Sequence, residues 1–167
     1  NDGVPEVTKG FLLILWNSYK YFIDYATTFK WDTDSENTEK NLNILDKWVV
    51  ARLREVVGET TGRLDEYDVV GASRALEEFL VEDFSNWYLR RSRRRFQKPQ
   101  SASEKDEAVS TAAYALFTLV HLFAPFTPFL AEAVYRELGQ KTKLKAASVH
   151  LGSWPVLGKT TEYEKNL

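Results

Sequence analysis

The sequence predicts an all-α fold: an up-and-down bundle of about five helices with a short irregular C-terminal tail. Three observations predict it. Apolar residues recur at three- and four-residue spacing along most of the chain, and strand-like alternation is nearly absent. Cap-like residues and prolines interrupt that pattern at intervals suited to helix starts and stops. The interruptions are short, which favours antiparallel neighbours.

The first helix reads Leu12, Leu15, Trp16, Tyr19, Ile23, Ala26 and gives out at the polar stretch Asp32 to Asn41, a predicted loop. Asn43 is an N-cap candidate with Asp46 three residues on, a capping-box-like start. The second helix follows as Leu45, Val49, Leu53, Val56, Thr60, Leu64, Tyr67. Asp68 caps the third, which carries Leu76, Phe79, Leu80, Phe84 and Trp87 into an arginine run and stops at Pro99 and the Ser101–Ser103 cluster. The fourth starts near Ser103, with Asp106 as its box partner, and continues as Val109, Ala113, Leu116, Val120, Phe123 until Pro125. Thr127-Pro128 has the cap-then-proline form of a new start, and Leu130, Val134 and Leu138 lead to a stop at Gly139. Residues 1–140 are therefore assigned to the bundle and 141–167 to a C-terminal segment and tail.

Composition narrows the function classes. The 167 residues suit one domain with a substantial core, and the 44% hydrophobic fraction is that of a folded protein. Cysteine is absent, which excludes disulfides, thiolate metal sites and a cysteine nucleophile, and fits a reducing, cytoplasmic setting. The apolar run Phe11 to Trp16 is too short to span a bilayer, so no membrane partner is expected. Methionine is absent even at position 1, which predicts a piece of a longer protein. No glycine-rich phosphate loop, paired carboxylates or histidine pair at metal-binding spacing is present, so neither catalytic residue, cofactor site nor metal site is assigned. His121 falls on the apolar stripe of the fourth helix as a hydrogen-bonded core histidine, and His150 is given a packing role.

A net charge of −2 means that any nucleic-acid affinity must come from a local patch. That patch is Asn86-Trp87-Tyr88-Leu89-Arg90-Arg91-Ser92-Arg93-Arg94-Arg95-Phe96, with five arginines in six residues after an aromatic pair. Guanidinium forks suit phosphates, and aromatic faces suit unpaired bases. With Arg90 at zero and steps of about 100°, Leu76, Leu80, Phe84 and Trp87 fall between about 40° and 120°. Arg94, Arg91 and Arg95 fall at about 40°, 100° and 140°, continuing that stripe. A buried unpaired charge is too costly to persist. Either the helix end leaves the core as an open cationic groove, or carboxylates meet the guanidiniums. The second reading has support, because cations suit a helix C-terminus and Glu77, Glu78, Glu82 and Asp83 lie on the same helix. Trp87 and Tyr88 are expected to hold the helix end in place, Trp87 as a core anchor. Asn86, a weak helix former deep in a helical pattern, is the candidate reader of a base edge.

The arginine segment closely resembles a motif of isoleucyl-tRNA synthetases, in the helical anticodon-binding domain of these class I enzymes. Leu15-Trp16-Asn17-Ser18-Tyr19 with Tyr25-Ala26, then Leu45-Asp46-Lys47-Trp48, then Ala124-Pro125-Phe126-Thr127-Pro128-Phe129-Leu130-Ala131-Glu132 resemble the same domain in the same order. Ser148-Val149-His150-Leu151 with Trp154-Pro155 resembles the segment that closes it, so the resemblance spans about residues 4 to 155. The proline-phenylalanine motif is shared with valyl and leucyl relatives, and the arginine-rich helix end favours the isoleucyl member. In the methionyl relative the corresponding helix ends in proline-tryptophan, with the tryptophan stacked on the anticodon; here those positions are Arg94 and Arg95. The resemblance implies a tRNA anticodon stem-loop partner and contact with the other domains of a parent synthetase. It also implies ATP and magnesium for the full enzyme but no cofactor and no catalysis in this chain, which lacks both catalytic motifs of the family. The implied tRNA-binding residues are Asn86, Arg90, Arg91, Arg93, Arg94 and Arg95. Two alternatives stay open: a helical scaffold or docking module with internally paired arginines, and the same domain from a valyl relative.

Overall fold

The computed structural model describes residues 11–26, 43–139 and 146–156. The predicted 32–41 loop lies outside them. In the described residues α1 (Leu13–Ala26), α2 (Ile44–Asp65), α3 (Val69–Glu78), α4 (Arg90–Gln97), α5 (Ala102–Phe123) and α6 (Pro128–Gly139) are α-helices, and Val149–Leu151 is a 3-10 turn. Phe79–Leu89 is π-helical and joins α3 to α4 with no break, since Phe79 and Leu89 at its two ends keep right-handed helical angles. Counting that joined rod once gives the five helices the periodicity predicts, and no strand occurs among the described residues.

Local chemistry explains most boundaries. Asn43 accepts from the Leu45 amide (3.0 Å) and Asp68 from the Gly71 amide (2.8 Å), satisfying donors that the first helical turn leaves unpaired. The N-cap of α5 is Ser101, two residues earlier than the expected Ser103. Ser101 accepts from the Glu104 amide (3.1 Å), and Glu104 reaches back to the Gln100 amide (2.6 Å). The Ser101-x-x-Glu104 spacing therefore supplies the cap in place of Ser103 and Asp106. Asp46 is a second correction. Its carboxylate turns into the core instead of back to Asn43, for a reason given below.

α5 is the axis of the bundle. It packs against α1, α2, α3, α4 and α6. Buried residues cover its whole circumference, with Ala108, Ala112, Ala113 and Ala115 interleaved with Val109, Leu116, Leu119 and Phe123. A helix apolar all round has to be enclosed by others, and its alanines let the neighbours approach closely. Around it lie Leu15, Tyr19 and Phe22 of α1, Val49 and Leu53 of α2, Leu76, Leu80, Phe84 and Tyr88 of the long rod, and Val134 and Leu138 of α6.

The described part of the C-terminal segment, 146–156, is irregular as predicted, yet it is tied to the bundle. Tyr135 donates to the Ala146 carbonyl (2.9 Å), Glu132 accepts from Ser148 Oγ (2.8 Å) and the Val149 amide (3.0 Å), and Val149 is buried. Trp154 Nε1 donates to Thr61 Oγ1 on α2 (2.9 Å).

Candidate nucleic-acid interface

The π-helical stretch decides where each arginine points. Its i→i+5 pairing turns less per residue than an α-helix, so the buried positions beyond it lie one residue later than constant 100° steps place them. Tyr88 is buried where Trp87 is expected and Ser92 where Arg91 is, and of the three arginines placed on the stripe Arg95 is buried while Arg91 and Arg94 are exposed. Trp87 is consequently not a core anchor. It is 43% exposed, with the Arg91 guanidinium 3.7 Å from its ring centre and Trp48 tilted against it at 6.0 Å. Tyr88 does hold the helix end, from a fully buried position.

Arg95 is corrected as an RNA contact. It is 3% exposed and forms a two-pronged pair with Asp46, Nη1 to Oδ1 at 2.7 Å and Nη2 to Oδ2 at 2.6 Å. Tyr88 donates its hydroxyl to the same Oδ1 (2.8 Å), and Glu107 lies 4.0 Å from Arg95 Nη2. Burial works against the Arg95 charge, but the hydrogen bonds and charge of Asp46 outweigh it and raise the pKa above its ordinary value. Burial, then the Asp46 charge, raises the Tyr88 phenol well above its usual range, which keeps the donor proton in place. Arg94 is half-exposed and pairs with Glu104, the residue that also caps α5. The carboxylates that meet these two guanidiniums come from α2 and α5, not from the acids of the same helix.

Arg90, Arg91 and Arg93 are exposed, and no carboxylate pairs with them among the described residues. Arg90 and Arg93 flank an open cleft of about 440 Å³ between α1 and the long rod, lined also by Asn17, Ser18, Tyr21, Ser85 and Leu89. Ser18 Oγ and Tyr21 Oη are buried there with no hydrogen-bond partner within the described chain. Burial raises the Tyr21 pKa, Tyr25 adds to that, and the Arg93 charge partly opposes it, so Tyr21 keeps its proton. The open cleft thus offers two cations and an amide, with two unsatisfied hydroxyls buried in its wall, groups suited to phosphate and base edges. Asn86 is exposed beside it, held only by a long 3.5 Å contact to Glu82 one turn earlier.

Asn17 and Ser18 appear in the sequence reading only as part of a family-like stretch, and neither they nor Tyr21 are among its site residues. Ser18 falls within the Leu15, Tyr19, Phe22 stripe of α1, and a small polar residue on an apolar stripe was the available signal. His121 is hydrogen-bonded as expected, with Nδ1 2.8 Å from the Phe117 carbonyl, but half-buried at the edge of the core, and burial lowers its pKa. His150 is exposed, its Nε2 3.3 Å from the Pro128 carbonyl.

The described residues form a helical bundle with a guanidinium-flanked cleft, and comparison with known proteins gives its class. Residues 46–167 match the family model of the anticodon-binding domain of tRNA ligases. The chain belongs to that family. It is similar to isoleucine–tRNA ligase of Thermus thermophilus, 39% identical over 153 residues, which is 91% of this chain and 15% of that protein. It is similar also to the isoleucine–tRNA ligases of Dehalococcoides mccartyi, 42% over 154 residues (92% and 15%), and Protochlamydia amoebophila, 35% over 166 residues (98% and 15%). The isoleucyl form of the domain is thereby favoured over the valyl one, and the chain spans about 15% of the length of these relatives.

Proposed function

We propose that this chain docks the anticodon stem-loop of an isoleucine tRNA on the cleft between α1 and the arginine-bearing rod, as part of a cytoplasmic isoleucine–tRNA ligase. The ATP- and magnesium-dependent ligation belongs to other regions of such an enzyme, and no catalytic residue is assigned here. The observation that carries the reading is that Arg90 and Arg93, without an acid partner among the described residues, line one cleft with Asn17, Ser18 and Tyr21 of α1. Arg90, Arg91 and Arg93 meet phosphates, Asn86 and the cleft polar groups meet exposed base edges, and Trp87 with its stacked Arg91 offers a face to an unpaired base. Anticodon loops present such unstacked bases, which is where sequence-specific RNA readout occurs.

Two of the five arginines leave the contact set or are held half-exposed by an acid, so the expected salt dependence is that of three phosphates. Binding of the anticodon stem-loop should weaken with a log–log slope of about −2, against about −3.5 were all five engaged. Arg90→Ala and Arg93→Ala should each flatten it by about 0.7. Salt-insensitive binding, or none at low salt, sinks the assignment. The scaffold reading is favoured at Arg95 and Arg94, which acids clasp, and not at Arg90, Arg91 or Arg93.

A further inference from the structure

Asp46 and Arg95 are far apart in sequence, both fully interior, and joined by two short hydrogen bonds, with the Tyr88 hydroxyl on the same carboxylate. The pair sits at a particular place in the rod. Phe79–Leu89 has just shifted the helical phase, and α4 has eight residues, RRSRRRFQ, with only Ser92, Arg95 and Phe96 buried. α4 continues that stretch without a break, and its few inward side chains give it little apolar surface of its own to hold the phase if the π-helical segment rewinds. Arg95 is also its innermost charge, and the phase of α4 decides whether Arg90 and Arg93 border the cleft. An arginine fork on a carboxylate is directional, since two parallel N–H···O bonds fix orientation as well as distance. Desolvating such a pair contributes little net stability, so its contribution is to specify an arrangement.

We propose that Asp46 and Arg95 are positioning residues for RNA binding: the buried pair locks the rotational phase of α4, so that Arg90 and Arg93 face the cleft although neither Asp46 nor Arg95 touches RNA. The inference rests on the RNA-docking reading above. Asp46→Asn removes the counter-charge and releases the Arg95 guanidinium toward solvent. Electrostatics alone then gives tighter RNA binding and a steeper salt slope, because one more cation is available. The positioning role gives the opposite, a loss of about tenfold per folded molecule, within the range of coupled residues, with a flatter slope as Arg90 and Arg93 leave their places.

The test uses the whole 167-residue chain, a fluorescent isoleucine-tRNA anticodon stem-loop titrated at three salt concentrations, and the folded fraction of each variant from circular dichroism. Asp46→Asn should weaken binding and flatten the slope. Asp46→Asn/Arg95→Met, which replaces the pair by a neutral, well-filling one, should recover most of the affinity. Arg95→Lys, which keeps the charge but loses the fork, should fall between, and it decides the matter if Asp46→Asn does not fold. In the unaltered chain, the Arg90 and Arg93 Nε–H resonances should shift on RNA addition while that of Arg95 does not. Unchanged or tighter binding by folded Asp46→Asn or Arg95→Lys overturns the inference, as does a double variant that stays weak with a flattened slope, which would make Arg95 itself a contact. If the unaltered chain does not bind the stem-loop, the docking reading fails first, and the two failures are distinguishable.

Discussion

Arg94 and Arg95 are adjacent, carry the same charge and each face an acid, yet burial gives them different energetics. Arg95→Ala would leave the Asp46 carboxylate fully interior with only the Tyr88 hydroxyl on it. Removing one member of a buried pair typically costs about 3–5 kcal/mol, because the remaining charge stays desolvated. Urea unfolding at neutral pH should show a loss of that size. Arg94→Ala breaks a pair whose guanidinium is 52% exposed, and Glu104 keeps its bond to the Gln100 amide. The expected loss there is within about 1 kcal/mol. Equal losses for the two variants would mean that the buried fork is not the stronger constraint. The same contrast explains why a run of like residues is not one functional unit: position relative to the core, not residue type, sets which guanidiniums are available.

Elements were legible in the sequence where local signals agree. The caps at Asn43 and Asp68, the stop before Pro125 and the five-rod architecture follow from side chains acting on nearby backbone, which periodicity and spacing report directly. The phase of α4 was not legible, because a π-helical stretch leaves no mark in a pattern counted at constant pitch; that one shift misplaced Trp87, Arg91 and Arg94 together. Nor was the role of Asp46, whose partner is remote in the chain. The cleft was half legible, through Arg90 and Arg93 but not through α1. Another element-level consequence concerns His121 on α5, whose ring packs against Phe117 and Tyr135 and beside Gly152. Burial lowers its pKa below the ordinary 6.5, so the unfolded chain takes up a proton first as pH falls. The associated stability is present above pH 6.5 and is lost progressively below it, through the depressed folded value. Thermal melts from pH 7.5 to 5 should show this decline, and His121→Gln should flatten it. The carboxylates Glu104 and Glu132, held down by amide and guanidinium bonds, act in a separate window below the usual value of 4.5. A methyl group at Gly152 would lie 2.9 Å from His121 Nε2 and 3.1 Å from Cδ2. The ring is wedged between aromatics, so Gly152→Ala should cost about 1–3 kcal/mol through overpacking. Chemical denaturation checks that value, and a neutral outcome would show that segment 146–156 yields easily.

For the molecule as a whole, a net charge of −2 means that long-range attraction to a polyanion is weak and that the cleft must act at short range. Affinity should therefore be modest and depend on a few guanidiniums, which makes charge reversal a decisive measurement. Arg93→Glu places an acid at the cleft wall, facing Tyr21 of α1, where no ion pair among the described residues depends on it. Its melting temperature should stay close to that of the unaltered chain, since exposed substitutions of this kind usually change stability by no more than about 0.5 kcal/mol. Its binding to the anticodon stem-loop should be abolished at 0.1 M salt, where the Debye length is about 10 Å and the new charge still repels the neighbouring phosphates. Arg95→Glu should do the reverse of this in folding: two carboxylates face each other in the core, and the chain should not fold at neutral pH. A scaffold whose arginines only knit helices together gives a different pattern, with Arg93→Glu as damaging to stability as Arg95→Glu and RNA absent from both comparisons. Side-by-side melts and titrations of the two variants separate these outcomes, because the docking proposal puts a structural charge and a recognition charge two residues apart in one arginine run.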